Sequence, residues 1–264
     1  WRAGGYRYTE APDDAVDYHL VTAGGVKLYV DPQVPMLGFP VGAFGAIPLS
    51  GGEIGDPLAE AANAAVNDRA IQTAIDAAAN GRWDVLLEAG TYCYSTEFTC
   101  DQPIGIIGRG WASTIFRPLS ADSGGFVGFS EVNFNLGDTT ADPIDDTSAL
   151  RLRDFSVRAG GRSDTQQQHG VRFIGRCDRM IMDSVYFAYL RGTALHFGHM
   201  NGDSSTVAYA REGMISNVEA RYCGDDANAR PVVVFDNYGT IAQQDGCNLI
   251  VTKRLWVVFP YHTG

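Results

Sequence analysis

The sequence lacks the features that would place it in several common classes of protein. No apolar run is long enough to span a membrane, and no signal peptide is recognisable. The 20 Lys and Arg residues are outnumbered by 31 Asp and Glu residues, so the chain has no basic excess with which to bind nucleic acid. We therefore expect no membrane insertion and no nucleic-acid partner.

Cysteine pairs and metal-binding motifs are also missing. The five cysteines are an odd number at irregular spacing without a CxxC pair, so they predict neither a disulfide framework nor a zinc site. We interpret them as small buried apolar side chains in a reduced compartment. No acidic cluster suited to calcium is evident. We expect no metal and no other cofactor.

Long helical patterns are absent after Gly81. The 31 glycines separate short segments that are rich in β-branched and aromatic residues, and this combination favours an all-β body over an α/β enzyme. One helix is predicted before that point, from about Asp68 to Ala79, with Asn67 as N-cap and Asn80-Gly81 as a left-handed stop. Its apolar stripe consists of Ala70, Ile71, Ala74, Ile75 and Ala78.

The order of segments after this helix resembles a known family. A buried strand at Val85–Leu87 and an Ala-Gly-Thr-Tyr turn at 89–92 follow the helix, as in the first turn of the pectate-lyase-like right-handed β-helices. The segment PIGIIGRGWASTIFRP at 103–118 is similar to the second coil of that family. The resemblance implies a right-handed parallel β-helix over residues 67–264, incomplete at its C-terminal end, with the helix as its cap.

The front of the chain resembles that of phage tailspikes. A small β-module at residues 1–46 starts with Gly-Gly-aromatic and ends on Phe44-Gly45-Ala46, and an insert at 47–66 carries a possible short helix after Asp56-Pro57. This resemblance covers residues 4 to about 116. It implies a virion tail protein, assembled in the host cytoplasm, that contacts other tail proteins through its N-terminal region. It also implies a homotrimer. The same assembly is favoured by outward apolar residues that one coil leaves uncovered, namely Leu86, Tyr186, Val234 and Trp256.

Weak repeats follow residue 149, as expected of a solenoid. They comprise the segments LRDFSV (152–157), IMDSVYF (181–187), ISNVEA (215–220) and VTKRLWV (251–257), and counting from Leu152 to Ile181, Ile215 and Val251 gives steps of 29, 34 and 36. Each later repeat has a preceding strand, at 170–174, 193–197 or 231–236. We predict residues 118–147 to be a long excursion from the coil. We also expect a longer protein, because the chain starts without Met and stops just after a strand.

Alternation along these repeats predicts a site. If Val185, Val218 and Leu255 point inward, Tyr186, Glu219 and Trp256 form one outward row on successive coils, with Arg221 in the next row. A carboxylate between aromatic rings suits a sugar-binding groove. Burial against a neighbouring subunit is the alternative.

Three other sets of polar residues are weaker candidates. Asp154, Asp183 and Asn217 would form either a carboxylate cluster or, more simply, a turn ladder bonded to backbone N–H groups. Gly224-Asp225-Asp226 resembles the Gly-Asp-Asp segment of polygalacturonases, but the rest of that signature is absent, and a plain turn is the alternative. His196 is predicted to lie between Arg172 and Val234 in an outward row, without a catalytic role.

Three functions remain open from the sequence. The first is a phage tailspike that recognises a bacterial surface polysaccharide, either with or without depolymerising it by hydrolysis or elimination. The second is a secreted bacterial polysaccharide lyase or glycosidase, and the third is a non-enzymatic adhesive spike. For an enzyme we predict Glu219 as acid or base, with Asp225 or Asp226 as its partner. Tyr186 and Trp256 would hold the sugar chain, and Arg221 would bind a uronate or stabilise developing negative charge.

Overall fold

The computed structural model of the chain describes residues 20–21, 27–28, 38–81, 83–98, 100, 104–119, 128–129, 150–160, 168–173, 176–178, 180–197, 209–211, 213–224, 231–235 and 251–258. The chain divides into two compact units, Trp1–Leu37 and Gly38–Gly264. In the first unit, strand β1 (Leu20–Val21) pairs antiparallel with β2 (Lys27–Leu28). Most of the predicted β-module lies outside the described residues, and its boundaries stay a prediction.

The second unit opens with a short strand and two helical segments. They are β3 (Phe39–Pro40), a 3-10 helix (Val41–Phe44) and the helix α1 (Pro57–Gly81). Asp56 caps α1, since its Oδ1 accepts a hydrogen bond from the Leu58 N–H at 3.0 Å, and Pro57 occupies the first helical position. The predicted short helix of the insert and the predicted capping helix are therefore one continuous helix.

Asn67 lies in the middle of α1, so the prediction that it is the N-cap is wrong. Its buried side-chain Oδ1 accepts a hydrogen bond from Ile47 N–H at 2.9 Å, and its Nδ2 donates to the Cys93 carbonyl at 3.3 Å. Asn63, one turn earlier, accepts from Cys93 N–H at 2.9 Å and donates to the Ile47 carbonyl at 2.8 Å. One buried and one partly buried amide thus tie the segment before the helix and a strand after it to one helical face.

Of the other predictions for α1, the buried apolar stripe is confirmed and the left-handed stop is wrong. The predicted apolar stripe is buried, which confirms that this face packs against the coils. The helix ends at Gly81, two residues beyond the predicted end at Ala79, and Gly81 does not adopt the left-handed conformation that the Asn-Gly pair suggested. No helix in the described part of the chain is both long and apolar enough to cross a membrane.

Short and long strands follow α1. They are β4 (Val85–Leu86), β5 (Gly90–Tyr94), β6 (Gly105–Ile107), β7 (Thr114–Pro118), β8 (Gly128–Phe129), β9 (Arg151–Arg158), β10 (Val171–Phe173), β11 (Arg176–Asp178), β12 (Ile181–Ala188), β13 (Leu195–Phe197), β14 (Tyr209–Arg211), β15 (Met214–Arg221), β16 (Val233–Phe235) and β17 (Val251–Val258).

These strands pair in parallel with strands from other repeats. The largest sheet has the order β17-β15-β12-β9-β6-β4-β3, with β7 also beside β9, and a second sheet has the order β16-β13-β10-β8. Each repeat therefore adds one strand to each sheet, as the two predicted strands per coil require. The described part of this unit is mostly parallel β-structure with one α-helix, in agreement with a β-helix-like fold.

Two details of the predicted coils are wrong. The register aligns Leu152 with Met182, Ile215 and Thr252, so the predicted alignment with Ile181 and Val251 is off by one residue. Residues 118–147 are not wholly an excursion, because Gly128–Phe129 form β8 and pair with β10. The remainder of that segment, beyond Leu119, lies outside the described residues.

A left-handed residue bends each of the four long strands at the same position. These residues are Asp154, Ser184, Asn217 and Arg254, with φ of 59°, 56°, 52° and 61°. The predicted ladder is thus a real row of turn residues. In this row, β12 contributes Ser184 instead of Asp183. Alignment of the acidic residues in the repeats placed Asp183 opposite Asp154, whereas in the structure Asp183 pairs with Arg153.

Candidate functional site

The predicted row of Tyr186, Glu219 and Trp256 exists. Tyr186 lies opposite Glu219 on β12 and β15, and Glu219 lies opposite Trp256 on β15 and β17. Neighbouring strands are about 4.8 Å apart, so the three side chains leave the sheet in one line. Val185 and Val218, which precede the first two, are fully buried in the core as the alternation requires.

A second outward row runs beside the first. Arg158, Ala188, Arg221 and Val258 are paired across β9, β12, β15 and β17. The Arg221 Nε donates a hydrogen bond to the Glu219 Oε1, which joins the two rows by an ion pair. Arg221 therefore lies where the sequence placed it, next to the candidate carboxylate.

Two further residues complete this surface, and sequence reasoning did not select either. Trp111, in the turn before β7, has its ring centroid 5.3 Å from that of Tyr186. The Arg158 guanidinium carbon lies 5.0 Å from the Tyr186 centroid and 5.7 Å from that of Trp111, and its Nη2 donates to the Trp111 carbonyl at 2.9 Å. We define the aromatic face as Trp111, Arg158, Tyr186, Glu219, Arg221 and Trp256.

The sequence contained a signal for Arg158 but none for Trp111. The repeats FSVR and VEAR both end on arginine two positions after the outward row, which predicts that Arg158 and Arg221 share a row. Trp111 reaches the face from a different turn, and the approach of that turn to β9 is a tertiary contact that alternation does not describe.

Burial and ion pairing determine the electrostatics of the aromatic face. Burial raises the pKa of Tyr186, and the nearby charges of Arg221 and Arg158 only partly oppose this effect. The phenol therefore stays protonated at neutral pH and can act as a hydrogen-bonding group rather than as a base. The hydrogen bond that Arg221 donates to Glu219 raises the pKa of Arg221. Burial lowers the pKa of Arg158.

Glu219 lies beside a cationic partner on the aromatic face. Its side chain is 19% exposed and forms an ion pair with Arg221, a partner that stabilises negative charge. The predicted partners Asp225 and Asp226 lie outside the described residues, so the assignment of an acid and base pair stays a prediction.

Two stacked tyrosines border the aromatic face. Tyr189 and Tyr222 directly follow the second row on β12 and β15, and their rings are parallel within 5° at a centroid distance of 5.3 Å. Both have left-handed backbone conformations, with φ of 60° and 52°. The strands therefore turn away from the face at these residues, which marks its lateral limit.

A different surface lies on the other side of the strand bend. We define the polar face as Arg153, Asp183, Ser216, Asn217 and Arg254. The Asp183 Oδ1 accepts hydrogen bonds from Ser216 Oγ at 2.5 Å and from Asn217 Nδ2 at 2.9 Å, while Arg153 lies 3.7 Å from its Oδ2. Burial raises the pKa of Asp183, but these hydrogen bonds, one from Ser184 and the charge of Arg153 together lower it.

The polar face contains a row of turn residues, but Asp183 bonds side chains instead of the backbone N–H groups that the turn-ladder interpretation predicted. Asp154 and Asp183 belong to different rows, so the predicted carboxylate cluster does not form. The carboxylate of Asp183 is bonded to the side chains of Ser216 and Asn217 on the neighbouring strand. Among the described residues, no group of three or more His, Cys, Asp or Glu side chains could hold a metal ion.

Charged or titratable side chains also lie in a cavity beside α1 and on the second sheet. A cavity of about 320 Å³ lies between the start of α1 and β7, and its charged residues Glu60 and Arg117 pair with each other at 2.9 Å. His196 lies between Arg172 and Val234 in register, as predicted, but on β13 in the second sheet. Neither place combines exposed rings with charged groups as the aromatic face does.

Comparison with known proteins yields only distant structural similarity. No protein-family model matches the sequence, and no curated protein matches it at a significant level. The A-module of the mannuronan C-5 epimerase AlgE6 from Azotobacter vinelandii is 16% identical, with a TM-score of 0.46, covering 84% of this chain and 56% of the module. The catalytic domain of Agl-KA is 14% identical, with a TM-score of 0.44, covering 88% of this chain and 37% of that domain. Similarity this low does not extend to function.

Proposed function

We propose that this protein recognises a bacterial surface polysaccharide, and that it does so as the receptor-binding tailspike of a bacteriophage. The observation that carries the proposal is the aromatic face, on which two half-exposed tryptophans flank a tyrosine and an ion pair. Aromatic rings stack on the apolar faces of pyranoses, and charged groups bond the hydroxyls and acidic substituents around them. The N-terminal resemblance to tailspikes supports the phage assignment.

A sugar ligand explains the aromatic face better than a subunit interface does. Acidic residues are depleted from the cores of protein interfaces, whereas this face places Glu219 between Tyr186 and Trp256. Trp111 and Trp256 are 50% and 53% exposed, which leaves ring surface available for stacking. We therefore assign Tyr186 and Trp256 to ligand binding.

A matched pair of aromatic variants tests the binding proposal. Trp256→Ala should weaken binding to capsule or lipopolysaccharide of a susceptible host by about tenfold, since stacking and burial of a ring contribute about 1–2 kcal/mol. Phe235→Ala is the control, because Phe235 is 45% exposed but lies on the second sheet. Equal loss of binding in both variants, or no loss in Trp256→Ala, would remove the aromatic face as the site.

Depolymerisation is a further part of the proposal. Glu219 is the proposed acid or base, because a rigid strand fixes its position between Tyr186 and Trp256. In Glu219→Gln, shortening of the polysaccharide should stop while folding, checked by thermal melting, persists. Undiminished cleavage would exclude Glu219, and absence of cleavage by the unaltered protein would favour the adhesive spike over the enzyme.

The assembly is proposed on the same grounds. We infer that the parallel coils close into a right-handed β-helix and that three copies associate with parallel axes on a virion tail. Leu86 and Val234, which are partly buried and lie away from the aromatic face, are candidates for the contact between copies. Light scattering of the full-length protein tests this, and a monomer at micromolar concentration would contradict it.

A further inference from the structure

We propose that Arg158 and Arg221 are a pair of carboxylate subsites, so that the polysaccharide bound at the aromatic face is acidic and carries carboxylated sugars. This inference rests on the proposed function, because it specifies the chemical class of the ligand at the same face. It assigns a ligand-binding role to Arg158, which is held against the rings of Trp111 and Tyr186.

Arg158 lacks an acidic partner among the described residues, unlike four other arginines of the coils. Arg117, Arg151, Arg153 and Arg221 each lie within 4 Å of a carboxylate. Within the part of the chain that the structure describes, Arg158 has no such neighbour, and its buried Nε has no hydrogen-bond acceptor. A partly buried guanidinium with unused donors stabilises an incoming anion strongly, because its own desolvation has already occurred on folding.

The position of Arg158 suits a carboxylate on a sugar. Its one hydrogen bond among the described residues is from Nη2 to the Trp111 carbonyl. Nε is buried, so Nη1 and the second N–H of Nη2 remain for a ligand. The adjacent rings of Trp111 and Tyr186 offer apolar surface beside these donors. A pyranose ring can contact this apolar surface while its carboxylate binds the guanidinium, whose planar array of donors matches the two carboxylate oxygens.

Arg221 supplies a second subsite at a regular distance. It lies in the same outward row as Arg158, two strands away, so their backbones are about 9.5 Å apart. This distance is comparable to the length of two sugars in an extended chain. Ala188, which separates them in the row, is buried and adds no charge between the subsites.

Glu219 does not exhaust the binding capacity of Arg221. The ion pair uses Nε of Arg221, and its side chain is 47% exposed, so the terminal amino groups remain accessible to a ligand. The face carries two guanidinium groups and one carboxylate, whereas the whole chain has a net charge of −11. A local positive excess on an acidic protein can select an acidic polymer at this face and repel it elsewhere.

The test is a binding titration of the full-length protein with a panel of polymers. Polygalacturonate, polyglucuronate and hyaluronate are each compared with their carboxyl-reduced derivative, and dextran, dextran sulfate and a neutral host glycan are included. The inference requires at least tenfold tighter binding of one carboxylated polymer than of its reduced derivative. Equal binding of the pair, or equal binding of dextran sulfate, overturns the carboxylate subsites and leaves polysaccharide recognition standing. Failure to bind any polysaccharide, including that of a susceptible host, overturns the proposed function as well.

Variants then locate the preference. Arg158→Gln should reduce the preference for the carboxylated polymer about tenfold with an unchanged melting temperature, and Arg158→Lys should retain the charge but lose most of the preference. Arg153→Gln is the control, because Arg153 lies on the same strand but on the polar face, where it is more exposed than Arg158. A full preference in Arg158→Gln, or an equal loss in Arg153→Gln, would contradict the assignment.

Discussion

The two faces of the long strands differ in how fully they satisfy their own polar groups. The polar face and the aromatic face share β9, β12, β15 and β17, and the left-handed residue of each strand marks the boundary between them. On the polar face, Asp183 is bonded to Ser216 and Asn217 and lies near Arg153. On the aromatic face, Arg158 contacts two rings and retains donors that no described residue accepts.

This difference separates a structural role from a binding role. A ladder whose groups bond one another stabilises the stacking of coils and gains little from a ligand. A surface with exposed rings and an unpaired guanidinium gains stability when a ligand covers it. The polar face should therefore respond to mutation through stability, and the aromatic face through affinity.

The largest effect is expected from removing a core residue that lies beneath both faces. Phe155, fully buried just after the bend in β9, packs edge-on against Phe116 at a centroid distance of 5.3 Å. Phe155→Ala should destabilise the protein by about 3–5 kcal/mol, because it leaves a cavity in the core. Denaturant unfolding measures this, with Phe155→Leu as the milder control. A loss below about 1 kcal/mol would mean that the two faces do not depend on a common core.

Removing the central acid of the polar face should separate stability from affinity. Asp183→Ala leaves its hydrogen-bond donors unpaired, so we expect a loss of about 1–3 kcal/mol in unfolding free energy. Polysaccharide binding should stay within about twofold of the unaltered protein. Arg158→Gln should show the opposite pattern, with stability changed by less than about 0.5 kcal/mol. A binding defect in Asp183→Ala comparable to that of Arg158→Gln would abolish the distinction between the faces.

Acid should remove the contribution of Asp183. Its pKa is lower in the folded protein than its ordinary value of 3.8, so the unfolded chain binds the proton more readily. The stability that this group provides is thus complete above the ordinary value and disappears as the pH falls through the folded value. The difference in unfolding free energy between the unaltered protein and Asp183→Asn should be constant from about pH 5 to 7 and shrink toward about pH 2. A difference that grows on acidification would contradict the proposed hydrogen bonding.

The smallest effect is expected at the bend itself. Arg254 adopts φ of 61°, a conformation that asparagine tolerates better than arginine, and its neighbour in the row is Asn217. Arg254→Asn should stabilise the protein by roughly 0.5–1 kcal/mol. Arg254→Ala, which lacks the polar side chain, is the control in the same unfolding experiment. Destabilisation by asparagine equal to that by alanine would show that backbone conformation does not limit this position.

The sequence predicted the repeating elements better than their exact alignment. Alternation located the row of Tyr186, Glu219 and Trp256. Once the inward apolar residues of a strand are identified, the residues between them must face outward. It misplaced Asp183 because acidic identity does not reveal which residue adopts a left-handed conformation. It also began the capping helix too late, since Asn67 has the chemistry of an N-cap but is buried in mid-helix by tertiary hydrogen bonds.

The parts of the site that escaped sequence analysis depend on contacts between distant segments. Trp111 is 47 residues from Arg158, and only the folded chain shows that the Arg158 Nη2 donates to its carbonyl. Arg158 could have been found by aligning the ends of the repeats. Glu219 was found because it interrupts an aromatic row, but its pairing with Arg221 across one intervening residue needed the structure.

Protection of side chains from hydroxyl-radical oxidation tests the distinction between the two faces most directly. The full-length protein is oxidised with and without saturating host polysaccharide, and modification is quantified by mass spectrometry. Trp111, Tyr186 and Trp256 should be protected, while Met214, which is 43% exposed on the polar side of the bend in β15, should be oxidised at an unchanged rate. Protection of Met214 with no protection of the three aromatic residues, while the polysaccharide is bound, would contradict the account.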